Sequence, residues 1–141
     1  MLTAQMEVCA SNEAGNSLLK TVTSTIEDAA ETIVVCSFLL GSRTIVGSLR
    51  DAASRGVRIY VMTARDGLKL NHPERDQPKA DHLRRVLIEL AEFSQVRVAD
   101  HWHAKFVLAD PFCPMPSGWM MSANLNEASL ISSPEFAVPL T

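Results

Sequence analysis

The sequence predicts an α/β fold, a mixed, largely parallel sheet flanked by helices on both faces, and three observations carry that prediction. Segments with apolar residues at three- and four-residue steps alternate with short β-branched runs. Two of those runs, residues 32–40 and 57–64, are dominated by apolar residues, as strands covered on both faces must be. The 141 residues, 47% of them hydrophobic, suffice for one core that buries about two thirds of the unfolded surface. The expected organisation is an N-terminal segment over residues 1–15 and a single domain over 16–141.

In chain order, Asn16 or Ser17 caps a helix running to about Glu31, with Leu18, Leu19, Val22, Ile26 and Ala29 on its apolar stripe. The strand "TIVVCSFLL" follows at 32–40. Ser42 is placed to cap a second helix through Arg55, with Ile45, Val46, Leu49 and Ala53 inward, and Gly56 to end it in the left-handed conformation. "VRIYVMTA" is the second strand. Residues 65–80, polar and holding two prolines and a glycine, predict a long substrate-facing loop. Asp81 then caps a third helix through Phe93, with Leu83, Val86, Leu87 and Leu90 inward. Strands are expected at 95–100 and 102–109. The three prolines of "PFCPMPSG", residues 111–118, exclude that stretch from the sheet. A short strand at 119–123, a turn around "NLNEASL" and a last strand at 135–140 complete the pattern.

Composition narrows the function classes. The first residues lack a basic stretch followed by an apolar one, and no run of 18 apolar residues occurs, so neither a signal peptide nor a membrane span is expected and the cytoplasm is the default location. Cys9, Cys36 and Cys113 are odd in number and widely spaced, which argues for free thiols rather than a disulfide framework. The formal charge of −3 is unevenly distributed. Residues 1–54 carry 3 basic and 6 acidic side chains, residues 55–85 carry 8 and 4, and residues 86–141 carry 2 and 6. A basic middle segment can neutralise phosphates if folding gathers it on one face; an ordinary solvated surface has the same composition. Arg65, Lys69 and Lys79 are its candidate substrate-binding residues.

"HAKFVLAD", residues 103–110, is the informative stretch. In a strand, residues two apart share a face, so His103 and Lys105 project together while Ala104, Phe106 and Leu108 face the other way. Ser122 and Asn124 share a side in the same manner. An imidazole, an ammonium, a hydroxyl and an amide brought together suit a tetrahedral anion such as a phosphate.

The pattern His103-x-Lys105-x4-Asp110, followed by Ser122-x-Asn124, resembles the HKD signature of the phospholipase D superfamily, a set of phosphodiesterases and phosphatidyltransferases. "TIVVCSFLL" through "LRDAASRGVRIYVMT" resembles the same family's opening strand, helix, turn and second strand. The resemblance covers roughly residues 16–140 and implies the family's α/β/α sandwich. It also implies chemistry without metal or cofactor, through a covalent phosphohistidine. His103 would be the nucleophile and a second histidine the general acid. Lys105 and Asn124 would hold the nonbridging oxygens, Ser122 would complete that cradle, and Glu135 fits the place of a carboxylate that orients the nucleophile. Asp110 would be structural. A single signature supplies one histidine, so the resemblance implies a homodimer whose active-site faces meet, as in the family's small bacterial endonucleases and restriction-enzyme domains.

Three features depart from the family pattern. Met121 stands where a glycine is usual, the segment from Asp110 to Ser122 is longer, and the chain stops before the family's closing helix, as a domain cut from a longer chain would. The expected partner is nucleic acid, DNA ahead of RNA, with no membrane; further domains, for instance in a restriction or phage-defence system, would supply targeting. Lipid phosphodiester cleavage or transfer, and a catalytically silent phosphate-binding or dimerisation module, are the alternatives. Other readings of single residues stay open. His101 and His103 could chelate a metal with His72, His82 or Cys113, and Trp102 and Trp119 suit packing or an interface better than base stacking.

Overall fold

The computed structural model describes residues 9–10, 17–69 and 71–140. Its strands are β1 (Cys9–Ala10), β2 (Thr32–Ser37), β3 (Arg58–Ala64), β4 (Gln95–Ala99), β5 (Phe106–Ala109), β6 (Ser117–Met121) and β7 (Phe136–Pro139). Its helices are α1 (Ser17–Asp28), α2 (Arg43–Ser54) and α3 (Pro73–Ala91), with a 3-10 turn at Asp66–Leu68 and a π-helical turn at Ala128–Ser132. The seven strands form one sheet in the order β1-β7-β6-β5-β2-β3-β4. The N-terminal strand β1 closes the sheet edge against β7, Cys9 opposite Ala137.

The α/β class and the mixed sheet are as expected, with a different balance inside them. Only β2–β3 and β3–β4 are parallel; β2–β5, β5–β6, β6–β7 and β1–β7 are antiparallel. Helices connect the parallel strands, whereas β5, β6 and β7 follow one another without a helical crossover, and such strands pair antiparallel. Layering differs in the same way. The apolar sides of α1, α2 and α3 join one cluster with Ile33, Val35, Ile59, Val61 and Val107, all on one face of the sheet. On the other face Tyr60, Met120 and Phe136 stay exposed among the described residues.

Element boundaries move for identifiable reasons. The α1 helix ends at Asp28, not Glu31, because the amides of Ala30, Glu31 and Thr32 are taken by the Asp110 carboxylate at 2.9, 2.8 and 2.8 Å. The candidate cap Asn16 lies outside the described residues. Strand β2 stops at Ser37, whose hydroxyl donates to the Leu39 carbonyl and accepts from the Leu125 amide, turning the chain. Ser42 caps α2 by accepting from the Ile45 amide, and Gly56 follows the helix at φ 92°, both as expected.

The predicted loop at 65–80 is the largest revision. Helix α3 begins at Pro73, and Asp81 sits inside it, accepting from Gln77 and Arg84 instead of capping. Proline at the first helical position loses no bond, and the Asp76 carboxylate reaches back to the His72 amide at 2.9 Å. The first turns face solvent, so their composition resembles a loop, and Pro78 inside the helix reinforces that impression. Strand β5 begins at Phe106, leaving Trp102–Lys105 outside regular structure. Strand β6 begins at Ser117, so the proline-rich segment yields two residues to the sheet after all. Only glycine fits at 118, where a Cβ would lie 2.6 Å from the Val107 carbonyl oxygen. No helix among the described residues is long and apolar enough to cross a membrane.

Asp110 itself adopts φ 53°, a left-handed conformation that aspartate tolerates, and it is held there by the three amides. Burial pushes its carboxyl upward, but the three donors together outweigh that and hold it below the usual range. A depressed folded pKa means that its contribution to stability is full above the ordinary carboxylate range and is lost as pH falls through it. Asp110→Asn is therefore expected to cost about 2 kcal/mol in urea unfolding at pH 7, and to flatten the acid limb of the stability curve.

Candidate active site

The residues of interest gather where β2 ends and the segment before β5 begins. Lys105 is 9% exposed, and its ammonium donates to the His103 carbonyl at 2.8 Å. The same nitrogen lies 3.2 Å from His103 Nδ1. His103 is exposed, and Phe38 packs against its ring at 5.0 Å between centroids. An exposed imidazole is thus backed by an aromatic ring on one side and by a buried cation on another.

Since 102–105 is not a strand, ladder bonds do not hold it; side chains do. The Asp66 carboxylate accepts from the His101 amide at 2.8 Å, and His101 takes φ 58°. Trp102 Nε1 donates to the Cys36 sulfur, and the Cys36 thiol donates to the Ala104 carbonyl at 3.3 Å. The Lys105 carbonyl accepts from the Met121 amide at 2.9 Å, bringing the chain into register with β6. Burial pushes the Cys36 thiol up, with the Trp102 hydrogen bond and Lys105 opposing, so this cysteine serves as a sulfur contact rather than a thiolate.

Ser122 and Glu135 are joined to each other, and Asn124 to the chain after β2. The Ser122 hydroxyl donates to Glu135 and accepts from the Phe136 amide at 3.0 Å. Asn124 Oδ1 accepts from the Leu39 amide at 3.3 Å, next in chain to Phe38. His103–Lys105 and Asn124 are therefore joined through Phe38 and Leu39. Met121, in the place of the usual glycine, directs its side chain into the core, where it is 6% exposed. Asp110 lies apart, at the far end of β5 against the start of β2.

The three basic candidates separate. Arg65 and Lys69 both pair with Asp100 at 3.8 Å, and Lys69 also with Asp66 at 2.9 Å. Lys79, on α3, makes no ion pair among the described residues and borders a groove that also contains Asn124. The metal-chelate alternative finds no support in side-chain placement: His82 bonds the Gly41 carbonyl, His101 sits at Asp66, and no three His, Cys, Asp or Glu side chains among the described residues gather as a ligand set.

Sequence reasoning missed Phe38, Cys36, Asp66 and Trp102 as site neighbours. Phe38 and Cys36 sat in an apolar run that needed no further explanation, and Asp66 sat in a polar one. Asp66 has the clearest electrostatic signature: the Lys69 hydrogen bond, then the His101 amide, hold its carboxyl at about 2. A pKa that low keeps the carboxylate charged through neutral and mildly acidic pH. The His101 amide is expected to keep the same hydrogen-exchange protection factor from pH 8 to pH 4, and to lose most of it in Asp66→Ala, as read by NMR.

A family model described as cardiolipin synthase, PLD-like domain, matches residues 22–140. Among solved structures, NucT from Helicobacter pylori superposes with a TM-score of 0.73 at 14% identity, covering 96% of this chain and 84% of that one. Nuc from Salmonella typhimurium, a phospholipase D family member, gives 0.69 at 20% identity, covering 95% and 80%. A phosphatidylserine synthase from Haemophilus influenzae Rd KW20 gives 0.70 at 16% identity, covering 95% of this chain and 34% of that one. No curated protein sequence matches the chain. At these identities the structural likeness speaks for the fold, and with a family model spanning α1 to β7 it leads to one conclusion: the chain belongs to the PLD-like domain family of the phospholipase D superfamily.

Proposed function

We propose that the protein is a metal-independent phosphodiesterase, most readily a nuclease, that works through a covalent phosphohistidine and completes its active site in a homodimer. The observation that carries the reading is the buried Lys105 ammonium set against an exposed His103 imidazole, a fixed cation beside an accessible nucleophile. In the proposed reaction a ring nitrogen of His103 bonds phosphorus as the ester P–O bond breaks. The leaving oxygen takes its proton from the partner's histidine, and water then attacks the phosphohistidine, returning a proton to that histidine and freeing His103. Lys105 and the amide nitrogen of Asn124 hold the nonbridging oxygens. Glu135, through Ser122, fixes the opposite wall, and Asp110 is a structural tie.

Nucleic acid is favoured as substrate by the basic segment around α3 and by the single signature, which the resemblance associates with small endonucleases. Lipid phosphodiester chemistry is the second reading. It is favoured by the exposed apolar sheet face at Tyr60, Met120 and Phe136, which would suit a lipid surface.

A cleavage panel of single- and double-stranded DNA, RNA, phospholipid vesicles and a small phosphodiester, in excess EDTA and low salt, tests the chemistry. Wild type is expected to cleave, and His103→Ala to fall by at least about a thousandfold. Activity that needs added metal, or that survives in His103→Ala, overturns the phosphohistidine mechanism. Binding of phosphodiesters with no turnover by wild type favours the silent module.

For the composite site, sedimentation is expected to show a species of twice the 15.4 kDa chain mass. Trp102, 38% exposed beside His103, should shift its emission to the blue as that species forms. A monomer that cleaves at full rate would remove the partner's histidine from the mechanism.

A further inference from the structure

A groove of about 550 Å3 runs outward from Asn124, between α3 and the segment that follows β6. The volume lies within the range of small-ligand sites, about 300–1,000 Å3. Leu39, Leu83 and Ala128 supply apolar wall, and Lys79, Asn126 and Glu127 supply polar rim. The polar groups are pre-set by their own contacts. Asn124 Oδ1 is engaged by the Leu39 amide, which leaves its two N–H donors for a ligand. Asn126 Oδ1 accepts from the Ser129 amide at 2.9 Å, which leaves its N–H donors in the same state. Glu127 accepts from the Ser42 hydroxyl through one oxygen and has the other for an acceptor role. The His82 ring is pinned by the Gly41 carbonyl at 2.9 Å and presents a planar wall.

We propose that this groove receives an unpaired nucleoside next to the scissile phosphate, so that the substrate is a single-stranded nucleic acid strand with a base seated between α3 and the Asn124–Ser129 segment. The inference rests on the phosphodiesterase reading, because Asn124 is the phosphate end of the groove. Whatever occupies it is the group esterified to that phosphate. Apolar walls with both donors and a carboxylate acceptor on the rim match a heterocycle whose edge carries both hydrogen-bond types, and the acceptor suits an exocyclic amine. A base held in a duplex has that edge already engaged. An acyl chain offers the Asn124 and Asn126 donors no acceptor and the Glu127 carboxylate no donor. Lys79, whose charge no carboxylate compensates among the described residues, is placed to meet the next phosphate along the strand.

The test uses the full chain in a His103→Ala background, so that binding is read without turnover, by fluorescence anisotropy in low salt. The probes are a short single-stranded oligonucleotide, its duplex, a deoxyribose-phosphate oligomer of equal length without bases, and anionic phospholipid vesicles as competitor. The parent is expected to bind the single strand about tenfold tighter than the base-free oligomer, and tighter than the duplex. Lys79→Ala, an exposed position, should weaken single-strand binding about fivefold and lower the slope of log affinity against log salt by about 0.7. Asn126→Asp keeps the oxygen that Ser129 needs while removing the amide donors, and should bring the ratio of base-bearing to base-free binding towards one. Lys20→Ala on α1 should leave all of these values unchanged.

A parent ratio near one overturns the proposal. So does a ratio that Asn126→Asp leaves intact, equal or tighter duplex binding, or displacement of the oligonucleotide by vesicles with the same Lys79 dependence. Base-dependent binding that needs the groove, in a wild type that cleaves nothing, would retire the catalytic reading and its scissile phosphate while keeping the groove as a base-binding site.

Discussion

Burying the Lys105 ammonium is the constraint that shapes the segment carrying His103. A lysine with so little access to water costs several kcal/mol unless its donors are met. The bonds that meet them come from His103, two residues earlier, through its carbonyl and its ring. A regular strand points the carbonyl of residue i across to a neighbouring strand, not towards its own i+2 side chain, so the chain from Trp102 to Lys105 leaves the ladder. Its backbone must then be held by other means, and Asp66, Cys36 and the Met121 amide provide them. Satisfying one buried charge thus both orients the imidazole and recruits its supports from β2, the 3-10 turn after β3, and β6.

The opposite end of the same strand is tied by a complementary device. Asp110 closes β5 by accepting three consecutive amides from the turn between α1 and β2, so the antiparallel β2–β5 pair is pinned at its start as well as along its ladder. That pair places Phe38 and Leu39, at the far end of β2, against His103 and Asn124. The two halves of the signature therefore act at opposite ends of one short strand, His103 and Lys105 before it and Asp110 after it. Asp110 holds the register of β5 from a position seven residues along the chain from His103.

Charge distribution is the second theme. The basic excess of residues 55–85 is partly cancelled, because Arg65 and Lys69 pair with Asp66 and Asp100, Arg75 with Asp76 and Arg84 with Asp81. Counting charges along the chain overstates the electrostatic attraction, and one of the carboxylates that reduce it, Asp66, also holds the segment before His103 in place. What survives on α3 is Lys79 and Arg85, neither of which makes an ion pair among the described residues, and Lys79 lies beside the groove that also contains Asn124.

Much was legible in the sequence because it depends on local pattern. The apolar periods of α1 and α2, the Ser42 cap, the Gly56 terminus and the α/β class follow from side chains within a few residues of each other, and the spacing from His103 to Asn124 carried the family. The start of α3 was hidden, since its first turns are solvated and hold Pro78, so helix and loop have the same composition there. The end of α1 was hidden because the carboxylate that takes its following amides is 78 to 80 residues away. Phe38, Cys36 and Asp66 had no local sign of a role, since their contacts span tens of residues. The sequence by itself determined the family pattern from His103 to Asn124 and most of the periods that form helices and strands, because those depend on near neighbours. Only the tertiary structure decided that the His103 segment is a strap rather than a strand, that the helices share one face, and that Lys79 rather than Arg65 or Lys69 keeps a free charge, because each of these depends on groups that meet only when the sheet is assembled.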